Sequence, residues 1–174
     1  MSRIRPFPFR RPLAPALGVL LLVAACGFEP LYAPRGGVPQ AMHSVQIANI
    51  PDRSGQILRN HLRNEMNPRG TPGNPAYRLD VSLLERREDL GLRRDDVRTR
   101  TNLIVSADFR LVSMADGKTV LAGSTRTISG FDILVNDYAT IVSERDAREQ
   151  ALIEIGNDIR TRVALYFKRT DAGG

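Results

Sequence analysis

A single cysteine, two histidines, two lysines and no tryptophan occur among the 174 residues. Each scarcity closes a class of function. One thiol can form no internal disulfide and supplies no cysteine cluster for a metal. His43 and His61 stand apart from any nucleophile motif, and no Gly-x-Ser-x-Gly is present. Gly36-Gly37 and Gly70 to Gly73 lie among prolines rather than after a strand, so no phosphate-cradling loop is predicted. Asp89, Asp95 and Asp96 sit beside arginines, without the dry cleft that pushes apart the pKa values of a catalytic acid pair. Long apolar runs are missing too. The most apolar segment, Leu13 to Ala25, spans 13 residues, short of the ~20 that cross a bilayer as a helix. An enzyme, a metal protein and a helical membrane span are all poorly supported.

What is present begins near the start of the chain. Arg3, Arg5, Arg10 and Arg11, with no acid among them, precede the apolar segment, which ends in Val23-Ala24-Ala25 before Cys26. A basic region, a short apolar region and small residues at a cut site are the parts of a secretory signal peptide over residues 1–25. A cysteine directly after the cut looks like the lipobox of a bacterial lipoprotein. There the thiol takes a diacylglycerol and the new amino terminus an acyl chain, and each buried CH₂ contributes ~0.8 kcal/mol to membrane attachment. Cys26 is therefore the expected lipid-attachment site, and this lipid is the sole non-protein group expected: no cofactor and no metal. Cleavage would also change the charge balance. The whole chain carries 25 basic and 19 acidic residues, net +6. Losing four arginines leaves 21 against 19, about +2, and with it goes the main support for a nucleic-acid partner.

Gly27 to Met42 is rich in glycine and proline, has no period, and reads as a tether. The expected organisation is a signal peptide at 1–25, a lipidated N-terminus and tether at 26–42, a folded domain at 43–170 and a disordered tail at 171–174. Within the domain, Ser44 to Ile50 predicts a short strand. Asp52 or Ser54 then caps a helix over Gln56 to Met66 with Ile57, Leu58, Leu62 and Met66 on one face. Tyr77, Leu79, Val81 and Leu83 alternate with polar residues, as do Leu103, Val105, Ala107, Phe109 and Leu111. These predict two strands paired through a tip around Asp89 to Asp96. Asp116-Gly117 predicts a tight turn into a further strand, Thr119 to Ile128. A long helix follows from about Tyr138 to Lys168, capped by Asn136 or Asp137, with Ala151, Leu152, Ile155, Ile159, Val163 and Tyr166 as its apolar stripe. The predicted fold is α+β: one two-layer domain in the order β-α-β-β-β-α, a sheet of about four strands with both helices on one face.

One charge pattern stands out. Between Glu85 and Arg100, six arginines (Arg86, Arg87, Arg93, Arg94, Arg98 and Arg100) alternate with Glu85, Glu88, Asp89, Asp95 and Asp96. One reading is a solvated hairpin end laced with surface ion pairs, which stabilise little. The other is a local site for an anionic ligand, since a planar guanidinium grips phosphate bidentately.

Cys26-Gly27-Phe28-Glu29-Pro30-Leu31-Tyr32 resembles the mature start of the lipopolysaccharide-assembly lipoproteins of the LptE family, in their alphaproteobacterial form. The element order, and Glu144-Arg145-Asp146-Ala147-Arg148 leading into the terminal helix, are similar to that family too. The resemblance implies an outer-membrane lipoprotein held by its lipid in the inner leaflet, on the periplasmic face. Gly27 after the cysteine, rather than Asp, fits outer-membrane sorting by analogy with enterobacterial rules. It further implies docking in the lumen of the β-barrel LptD, support for barrel assembly, plugging of the pore, and contact with lipopolysaccharide. Arg93, Arg94, Arg98 and Arg100 are candidate lipopolysaccharide contacts from charge alone. Two other readings stay open from the residues: a lipoprotein accessory to another envelope lipid transporter, and a lipid-anchored hydrolase. The missing nucleophile, base and metal cluster weigh against the latter.

Overall fold

The computed structural model describes residues 40–90, 99–133 and 136–172. After a 3-10 turn (Gln40–Ser44), the order is β1 (Val45–Ile47), α1 (Asp52–Met66), β2 (Tyr77–Leu90), β3 (Thr99–Ser113), β4 (Thr119–Ile133) and α2 (Asp137–Ala172). This is the α+β order that the sequence predicts, with a shorter first strand and longer elements after it. The four strands form one sheet in the order β1-β2-β3-β4. β1 runs parallel to β2, a pairing that needs a crossover, and α1 supplies it. β2, β3 and β4 form an antiparallel meander.

Alternation sets the sheet's two faces. Leu79, Val81, Leu103, Val105, Ala107, Phe109, Leu111 and Phe131 point to one side and are buried there with Leu58, Leu62 and Met66 of α1 and Ala151, Leu152, Ile155, Ile159 and Val163 of α2. Both helices therefore cover the same face. The register between β3 and β4 slips once, where Leu111 opposes Leu121 but Val112 opposes Thr119. Val120 is the extra residue of that irregularity. At the turn, Gly117 takes φ +68°, the conformation that the Asp-Gly pair predicts.

Four local expectations need correction. β1 ends at Ile47 rather than Ile50; the chain leaves the sheet after the Ala48 amide donates to the Leu79 carbonyl at 3.0 Å. Neither Asp52 nor Ser54 caps α1 through its side chain. Pro51 is the capping residue, and Asp52, at φ +67°, begins the helix. β4 runs on to Ile133 because it keeps pairing with β3 as far as Thr99. Finally, Phe167 rather than Tyr166 completes the buried stripe of α2; its ring meets Tyr77 edge-on at 5.0 Å between centroids. At the other end of α2 the expectation holds in one of its two forms. Asn136 is the cap, its Oδ1 accepting from the Tyr138 amide at 2.9 Å.

The core begins as early as Met42, which is fully buried. Two contacts tie this entry segment to the end of α1: His43 Nδ1 pairs with the Met66 carbonyl at 2.9 Å, and Asn67 Nδ2 donates to the Val45 carbonyl at 2.7 Å. Both histidines thus have structural settings. His61 Nε2 pairs with Asn157 Oδ1 at 3.1 Å where α1 meets α2. No described helix is long and apolar enough to cross a membrane.

Candidate functional site

Strand pairing extends to Leu90 opposite Arg100, so alternation sorts the described charges of the arginine-rich run, at 85–90 and at Arg100, onto two sides. Glu85, Arg87 and Asp89 share the helix-covered side. Arg148 on α2 donates from Nε to Glu85 Oε2 at 3.0 Å and also bonds Glu144, which in turn accepts from Arg87. Burial alone would lower the Arg148 pKa, but its hydrogen bonds to the Glu144 and Glu85 carboxylates outweigh it and raise the pKa. Asp89 accepts a 2.8 Å hydrogen bond from the buried Thr101 hydroxyl. Glu85 and Arg87 are thus engaged in holding α2 to the end of β2, and Asp89 in joining β2 to β3.

The remaining described charges of the run face away from the helices. Arg86, Glu88 and Leu90 of β2 share that side with Arg100, Asn102 and Ile104 of β3 and with Arg126, Ile128, Gly130 and Asp132 of β4. Register places Arg86, Ile104 and Ile128 in one row across three strands, with Leu84, Ser106 and Arg126 in the row beside it. Leu84 and Ile128 are 64% and 56% exposed, whereas Ile104 is only 7% exposed although it lies on the face opposite α1 and α2. Arg86, Arg100 and Arg126 have no acidic partner within 4 Å among the described residues. Arg100 lies flat across β4: a Cβ on Gly130 would come within 3.0 Å of its Nε and Nη2. Gly130 is thus the seat of Arg100. Lower on the face, Asp80, Ser82, Asp108, Arg110 and Ala122 line a shallow depression of about 510 Å³.

Of the residues singled out from the sequence, Arg100 is placed on this uncovered face. Cys26, Arg93, Arg94 and Arg98 lie outside the described residues. Charge alone does not identify Leu84, Ile104 and Ile128. Their signal was phase: each is an apolar residue at a position where alternation calls for a polar one. Among the described residues, no three His, Cys, Asp or Glu side chains converge as metal ligands would.

A family model described as LptE: Lipopolysaccharide-assembly matches residues 42–163, well over half of the chain. The chain belongs to the LptE family. Its structure is also similar to those of solved lipoproteins. A Caulobacter crescentus crystal structure described as a lipoprotein is similar at 26% identity and TM-score 0.62, over 77% of this chain and 97% of that one. A minor lipoprotein of Acinetobacter baumannii, at 14% identity and TM-score 0.52, covers 70% of this chain and 91% of its own; that likeness concerns the fold. Among curated protein sequences, none matches.

Proposed function

We propose that this LptE-family chain is an outer-membrane lipoprotein, anchored by acyl chains on Cys26 at the periplasmic face. In this reading it binds within the β-barrel LptD, assists its assembly, plugs its lumen, and contacts lipopolysaccharide on its way to the outer leaflet. The observation that carries the reading is the family match over residues 42–163, supported by the lipobox pattern at Val23-Ala24-Ala25-Cys26. The role is binding and positioning, with no catalytic step assigned to any side chain. A near-neutral mature domain suits enclosure by protein better than adsorption to anionic lipid.

The anchor has its own test. Fractionation of cells expressing Cys26→Ala should find the protein unlipidated and outside the membrane fraction, because several acyl chains are what hold it there. Retention of the variant in the membrane fraction would refute lipidation at Cys26. In the same reading, depletion of the wild-type chain lowers the amount of lipopolysaccharide labelled at the cell surface.

A further inference from the structure

The two edges of the sheet differ in length. β1 has 3 residues, whereas β4 has 15, and among the described residues no strand lies beyond it. A long edge offers a row of backbone donors and acceptors to another chain, and proteins commonly blunt it with lysine, proline or a bulge. Thr119–Ile133 contains neither lysine nor proline, and its one irregularity lies at its start, by Val120. From Arg126 to Asp132 the edge is regular. Arg126, Ile128, Gly130 and Asp132 alternate there on the side away from the helices, all exposed. Arg126 and Asp132 are opposite in sign, and neither has an ion-pair partner among the described residues. Arg100 stands across from Asp132 on β3, but its guanidinium lies over Gly130 instead.

We propose that, in the chain free of other partners, β4 pairs antiparallel with β4 of a second copy about a two-fold axis at Ser129. In such an isologous pair, residues equally far before and after Ser129 stand opposite each other. Arg126 of each copy then faces Asp132 of the other, and no other axis brings these two charges together. Opposite residues share a face, so two symmetry-related ion pairs form on the side away from the helices. Between them Ile128 stands opposite Gly130 of the second copy, and the two Ile128 side chains become diagonal neighbours across the axis. The pairing thus covers an exposed apolar side chain, a free cation and a free anion at once. That self-complementarity is what favours a second copy over an unrelated extended segment, which has no reason to carry both charges at this spacing. The inference goes beyond the lipopolysaccharide-assembly reading and does not depend on it.

Disulfide trapping tests both the contact and its register. Full-length protein carrying Ser129→Cys, purified in excess detergent and oxidised, should run as a dimer on a non-reducing gel. Facing Cα atoms in an antiparallel pair lie ~4.5–5.5 Å apart, a separation that a disulfide bridges. Two controls should stay monomeric: the wild type, which reports any link through Cys26, and Thr119→Cys, an exposed position outside the paired stretch. In the Ser129→Cys background, Arg126→Glu and Asp132→Arg should each slow cross-linking about tenfold, because each sets like charges opposite at two symmetry-related positions. The two changes together should restore it. Equal cross-linking in all charge variants, or failure of the combined change to restore it, would overturn the proposal. A chain that stays monomeric with Ser129→Cys leaves the edge to an extended segment of another protein and overturns it as well.

Discussion

At the scale of single residues, the closest packing lies where the two helices meet. A Cβ on Gly156 would come within 2.5 Å of His61 Cδ2 and 3.2 Å of Leu58 Cδ1, so the helices approach through the missing side chain. His61 is therefore half of a helix contact, secured by its bond to Asn157. Chemical denaturation of Gly156→Ala should show a loss of about 1–3 kcal/mol, the usual cost of overpacking. Combining it with His61→Ala should recover part of that loss, since the ring is the nearest obstacle and contacting residues do not add independently. Strict additivity of the two changes would show that the ring is not what Gly156 accommodates. Gly130 makes a similar allowance on the opposite face, for the side chain of Arg100.

At the scale of elements, α2 is held in two ways. From Ala147 onward it is buried by its apolar stripe, whereas Tyr138, Ile141 and Val142 before it are exposed. The bond set of Arg148 with Glu85 and Glu144, extended by Arg87, ties the helix to the end of β2 near that change. Arg148→Ala should speed amide hydrogen exchange in the first turns of α2. The global loss should stay near 1 kcal/mol, because a partly exposed ion-pair network is screened by solvent. Unchanged exchange there would mean that packing alone fixes the helix. Much of this scale was legible in the sequence. Period-two and period-3.6 patterns determine the strands, both helices and their shared face, because burial on one side is what creates those patterns. Phe167 escaped because Tyr166 fits the same helical spacing, and only the position of Tyr77 decides which ring turns inward. The charge run escaped for a related reason. Composition shows six arginines among acids, but only the strand register shows that, of the described ones, Arg87 lies on the helix-covered face and Arg86 and Arg100 on the other.

For the whole molecule, the described sheet has one face buried for stability, and we propose that the other is left for partners. The two helices bury one face in a single continuous core. The opposite face keeps Leu84 and Ile128 at the surface beside arginines that have no acidic partner among the described residues, at a cost in solubility that a role in binding would explain. The candidate residues were legible only in part, since Arg100 could be named from charge while its apolar neighbours needed the register. The central claim is that this LptE-family chain works as a lipid-anchored subunit of an outer-membrane β-barrel that delivers lipopolysaccharide. Affinity purification from detergent-solubilised outer membranes tests it most directly. The account predicts one large β-barrel recovered in stoichiometric amount with the chain. Recovery of an inner-membrane permease and ATPase instead, with no barrel, would contradict it.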